Sequence, residues 1–189
     1  MRFLLIASAL ALSACTLSTN TAGNERAAGC ARSATHNVAW STDGAEDTIT
    51  TSSDGPTCAQ AVVTFVARSS AGDPLWVFAT TYYDMTSGGI PPEGAPAVTE
   101  EQMDRFLTGW ADVTLQRSGE LPEWREGFDT LSASAPTFSY DTPLGREAYE
   151  EMRARNLQMI CYAAAVEATQ CLLMDPASHA PLMIVAYGP

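Results

Sequence analysis

Two β-branched, aromatic runs joined by a short turn narrow the folds open to this chain more than anything else in it. Residues 61–68 (AVVTFVAR) and 75–83 (LWVFATTYY) flank residues 69–74 (SSAGDP), where Gly72, Asp73 and Pro74 form a turn. Each arm is too short for a typical helix and rich in the residue types that favour a pleated surface, so the pair predicts a β-hairpin. Both faces of each arm are apolar, which predicts central strands covered on two sides rather than a surface ribbon. Two shorter strands are expected before it, at residues 36–41 (HNVAWS) and 47–52 (DTITTS). Thr42-Asp43-Gly44 supplies the turn between them, and residues 53–56 (SDGP) close the second.

At the N-terminus a single charge, Arg2, precedes an apolar run over residues 3–12 that ends in Leu12-Ser13-Ala14-Cys15. A charged start, a short apolar core and a small-residue cleavage site make a secretory signal, too short to span a bilayer as a helix. An ordinary signal peptide cut near Ala14 is the plainer reading. Leucine three residues before cysteine, with Ser and Ala between, resembles at every position the lipobox of bacterial lipoproteins. That resemblance implies cleavage after Ala14 and a diacylglycerol on the Cys15 sulfur, usually with a third acyl chain on its amine. At about 0.8 kcal/mol per buried methylene, two or three chains hold a protein on a membrane where one holds weakly. Thr16 stands where an Asp would be the usual inner-membrane retention signal, so the resemblance points to the outer membrane, facing the periplasm. Residues 15–34 read as a polar tether and residues 35–189 as one globular domain. A flexible chain from Cys15 to Cys30 reaches roughly 20 Å.

Loss of Arg2 with the signal leaves 9 basic residues against 22 acidic, a balance of −13, and lysine is absent. An acidic chain without a basic cluster repels nucleic acid and anionic surfaces, so no nucleic-acid partner is expected. The acidity is densest from residue 93 to residue 129, where nine carboxylates face Arg105, Arg117 and Arg125. Its ordinary meaning is a solvated face, its rarer one a surface for a basic protein. With Cys15 lipidated, Cys30, Cys58, Cys161 and Cys171 remain, an even number in an oxidising compartment, which predicts disulfides. Three pairings are open, and proximity in the chain favours Cys30 with Cys58 and Cys161 with Cys171. Zinc would call for closely spaced pairs such as C-x-x-C, and none occurs.

Residues 84–98 hold three glycines and three prolines and predict an irregular loop. Thr99 and Gln102 then form a capping box, with Glu100 and Glu101 near the positive end of the dipole. Met103, Phe106, Leu107, Trp110 and Val113 follow at helical spacing, and Arg117 with Gly119 mark the expected exit. Residues 122–128 (PEWREGF) allow one or two helical turns, and Trp124, Phe128, Phe138 and Tyr140 are expected to pin this excursion to the core. A second helix is expected from Pro143 to about Arg155. Residues 157–174 allow either a continuing helix or a hairpin. A straight helix would separate Cys161 from Cys171 by about 15 Å, too far for a bridge. A hairpin centred on Val166 instead sets Cys161 opposite Cys171 and Met159 opposite Leu173, and it is preferred for that reason. Residues 182–187 (LMIVAY) make a last strand after a turn at residues 175–180.

The expected fold is therefore α+β, a mainly antiparallel sheet of six or seven strands with two helices inserted between strands four and five. Motifs for catalysis are scarce: G-x-S-x-G, H-E-x-x-H, S-x-x-K and G-x-x-x-x-G-K are all absent. The two histidines, His36 and His179, have no spacing that would join them to Asp54 or Asp175 around a metal, so no metal or cofactor is expected. Cysteines that are lipidated or bridged are not nucleophiles. What remains for an enzyme is a carboxylate pair drawn from Glu100, Glu101, Asp104, Glu120, Glu123, Glu126 and Asp129. The leading expectation is a lipid-anchored binding or structural module of the cell envelope. The alternatives are a small periplasmic hydrolase using such a pair, or an inhibitor of a basic protein.

Overall fold

The computed structural model describes residues 29–41, 44–89, 93–94, 96–135 and 138–189. Cys15, the signal and most of the tether lie outside the described residues. Nine strands fall into two antiparallel sheets, with four helices, among the described residues. The fold is α+β and mostly sheet.

Sheet A is an up-and-down meander of β1 (Arg32–Val38), β2 (Asp47–Asp54), β3 (Val62–Arg68) and β4 (Pro74–Thr81), in that spatial order. In β2 the residues Asp47, Ile49, Thr51 and Ser53 are buried while their neighbours are partly exposed or exposed, a period of two that buries one face only. The expected hairpin is β3–β4, with Phe65 opposite Phe78. It is not a central, doubly covered pair. β4 is the edge of its sheet, and Val77 on its outer face is 60 % exposed. The outer face runs through Thr48, Thr50, Ser52 and Thr64, and β-branched threonine favours strand without needing a second layer. β1 begins four residues before the expected strand, so Arg32, Ser33 and Ala34 of the expected tether are strand. Arg32 is held there by Asp104, at 2.8 Å from Nε to Oδ1.

After β4 the chain turns at once into a short helix, α1 (Tyr82–Ser87), where the strand was expected to continue to residue 83. Thr81 caps it by accepting from the Asp84 N–H. The longer α2 (Glu100–Ala111) starts on the expected capping box, with both reciprocal bonds of Thr99 and Gln102 present. It stops six residues short of Arg117. Asp112 leaves helical geometry at φ −80°, ψ 76°, and the β-branched pair Val113-Thr114 leads into β5 (Thr114–Arg117). A third helix, α3 (Leu131–Ser134), and the three-residue β6 (Ser139–Asp141) follow, then α4 (Arg146–Ala154). Residues 122–128 form an irregular segment with a turn at Glu126-Gly127 rather than a helix. α4 begins three residues after Pro143, with Gly145 at its N-cap; Thr142 instead pins the preceding turn, accepting from the Leu144 N–H at 3.2 Å and donating to the Ile184 carbonyl at 2.7 Å. The expected helices thus have β5 and β6 between them, and the strands form two sheets instead of one.

Sheet B has the order β5, β7 (Gln158–Ala165), β8 (Ala168–Met174), β9 (Pro181–Gly188), β6. Its β7–β8 hairpin sets Cys161 opposite Cys171 and Met159 opposite Leu173. One face of sheet B carries Ile160, Tyr162 and Leu172 into a core shared with sheet A and the apolar stripe of α2. The other carries Met159, Leu173 and Val185 into a second core closed by Leu131 of α3 and Tyr149 of α4. Disulfides join Cys30 to Cys58 beside the first core and Cys161 to Cys171 in the second.

Candidate binding cleft

Helix α2 buries Met103, Leu107 and Trp110 against the first core, and Thr51 Oγ1 donates to the Leu107 carbonyl at 2.8 Å to fix the docking. Arg105, Gly109 and Asp112 recur at spacings of four and three, which puts them on one flank of the helix. Across from that flank β5 pairs with β7 only from Thr114–Cys161 to Arg117–Gln158. The last four residues of β7 therefore run on beyond the start of β5, and a cleft of about 430 Å³ opens between them and α2. Trp110 Nε1 donates to the Ala163 carbonyl at 2.8 Å and covers the open edge.

The floor of the cleft is a row across three strands. Ala163 stands opposite Thr169, and Thr169 opposite Tyr187. The same three residues floor a second hollow of about 260 Å³, which ends at Phe138 and Gly188, so the two form one trough. Tyr187 is backed by Tyr140 and Phe138, at ring-centre distances of 5.5 and 6.0 Å. The hydroxyls of Thr114, Thr169 and Tyr187 make no hydrogen bond to any described residue. At the rim, Arg105 Nη1 lies 2.6 Å from Glu101 Oε1, and Asp112 Oδ1 lies 3.7 Å from His36 Nε2. The Tyr162 phenol beneath the cleft is pushed up to about 12, mainly by burial, with the Trp76 N–H opposing.

The carboxylates singled out from the sequence are elsewhere. Glu100 and Asp104 share the Arg32 guanidinium, the first at 3.2 Å and the second through two bonds. The hydrogen bonds from Arg32 hold the Asp104 carboxyl below its usual range, the direction opposite to that wanted in a general acid. Glu101 is on Arg105, and Glu120 Oε2 accepts from the Arg117 N–H at 3.3 Å. Glu123, Glu126 and Asp129 lie exposed along the irregular segment. The carboxylate lining the cleft is Asp112, and Glu167 lines the second hollow. His36 is in β1, and His179 is in the turn that Asp175 organises by accepting from Ser178 Oγ at 2.6 Å. Among the described residues no three His, Cys, Asp or Glu side chains gather as a metal would require, and no helix is long and apolar enough to cross a membrane.

Gly109, Thr169 and Tyr187 belong to no sequence motif that marks a site, and Tyr187 reads from sequence only as the end of the last strand. The available signal was a glycine inside an amphipathic helix, where alanine is favoured. The row on the floor depends on strand register, which no local pattern carries. Compared with models of known protein families, with curated proteins and with solved structures, the chain matches none.

Proposed function

We propose that the chain is a lipid-anchored protein of the bacterial cell envelope whose domain binds a ligand in the cleft and does not transform it. The anchor rests on Leu12-Ser13-Ala14-Cys15 and on the charged, apolar segment before it. The binding role is carried by one observation: the cleft holds hydroxyls without partners among the described residues, while the candidate acids and bases are engaged in ion pairs or stand exposed away from it. A cavity of this size falls in the range of small-ligand sites, roughly 300–1,000 Å³. The membrane is met through lipid on Cys15, with the domain in the periplasm, and no cofactor or nucleic acid takes part.

Cells expressing the full chain are grown with an alkyne-bearing fatty acid. Labelled protein in the membrane fraction, lost together with the label in Cys15→Ser, is the expected result. A Cys15→Ser variant that keeps both overturns the anchor.

A further inference from the structure

We propose that the cleft is a saccharide site, taking a short uncharged oligosaccharide along the trough of Ala163, Thr169 and Tyr187 against the flank of α2. This deepens the binding reading above and rests on it.

The charges decide against an ion. Arg105 is already answered by Glu101 at 2.6 Å, so an anion entering there meets Glu101 and Asp112 as well. Asp112 in the cleft and Glu167 in the second hollow are single exposed carboxylates, each too well screened to hold a free cation by itself. Paired charges of this kind still have hydrogen-bonding capacity. Arg105 gives one of its five N–H donors to Glu101, and Asp112 keeps acceptor positions open. With the Thr114, Thr169 and Tyr187 hydroxyls they offer donors and acceptors in close array without a net attraction, which suits a neutral, polyhydroxylated ligand.

The apolar side of the site fits the same ligand. Tyr187, partly exposed and braced by Tyr140 and Phe138, presents an aromatic surface beside those hydroxyls. The C–H face of a pyranose is weakly positive and packs against the negative face of such a ring. Two hollows sharing a floor call for a linear ligand with a unit in each. An extended peptide adding to the open edge of β7 would need the Ala163 carbonyl, which Trp110 Nε1 already occupies.

Gly109 is the residue the fold does not explain. Glycine is poor in a helix interior, yet a Cβ built there meets nothing within 4 Å, so no neighbour demands its absence. The direction left open is the cleft, which Gly109 lines.

Detergent-extracted full-length protein is titrated calorimetrically with cellotetraose, maltotetraose and chitotetraose. Saturable binding of at least one is expected, weakened about tenfold or more in Tyr187→Ala and abolished in Gly109→Leu. Gly109→Leu should keep or raise the thermal midpoint, and Thr169→Val, near in shape, should weaken binding without moving it. No saturable binding of any of the three sugars overturns the saccharide site, as does binding that all three variants leave unchanged. Mass analysis of the recovered sugar separates the two readings: an intact tetraose supports both, and a shortened one keeps the saccharide site and overturns the non-catalytic role.

Discussion

The phenol of Tyr162 accepts from Trp76 Nε1 at 2.9 Å and donates to Gln170 Oε1 at 2.7 Å, while its ring stacks on Phe65 at 4.4 Å. One side chain of sheet B thus meets both β3 and β4 of sheet A. Tyr162→Phe keeps the stack and strands the Trp76 N–H, at a cost of about 1–3 kcal/mol, to be read from the urea midpoint. Together with Tyr149, which burial raises further, the Tyr162 phenol contributes to an alkaline limit. Its folded pKa is raised, so its contribution is whole below the unfolded value near 10 and is lost as pH rises toward about 12. The urea midpoint should fall over that window, and less so in Tyr162→Phe; equal slopes would remove Tyr162 as the cause. Asp104 works at the opposite end. Its carboxyl is lowered by Arg32, so the contribution is present above the ordinary Asp value of about 3.9 and is lost as pH falls through the folded value. Asp104→Asn is expected to flatten the acid limb of a midpoint-versus-pH curve below about pH 4, relative to the parent protein.

At the scale of elements, legibility followed how local the cause was. The start of α2 was readable because Thr99 and Gln102 are three residues apart and satisfy each other. Thr99→Ala should cost about 1 kcal/mol in the urea midpoint, and no change would mean that packing alone sets the helix start. The helix end was misread because Val113 continues the apolar spacing in sequence but is buried from an extended segment. The edge strands β5 and β6, of four and three residues, are too short to show a period and exist because β7 and β9 present edges to them. α1 had a readable signal in Thr81 and Asp84, masked by the β character of the residues before it. The β7–β8 register followed from the spacing of its two cysteines, a constraint stronger than propensity. The cleft was not readable. Its floor combines residues from three strands, its wall is the flank of α2, and its opening is the gap left where β5 begins late.

For the whole molecule, sheet B is the element that both cores share, so neither core can open without disturbing it. A single unfolding transition is expected, with near- and far-ultraviolet circular dichroism changing together. Each disulfide closes a loop around one core. Cys30–Cys58 spans 28 residues and Cys161–Cys171 spans 10. Loop entropy assigns about 3.6 kcal/mol to the longer and about 2.7 kcal/mol to the shorter, through the unfolded state. The paired replacement Cys30→Ala with Cys58→Ala should therefore lower stability more than Cys161→Ala with Cys171→Ala, while both leave one coincident transition. Splitting of the transition in the second variant would mean that the β7–β8 bridge couples the two cores. In that event sheet B without its cystine would no longer transmit opening from one face to the other. The first variant bears on the anchor as well. If Cys15 carries lipid, Cys30–Cys58 is the first cross-link after the anchored segment, and its removal should leave the uncut protein in the membrane fraction while added protease cuts faster near Cys30 and frees the domain. Release of the uncut chain without protease would overturn the lipid anchor.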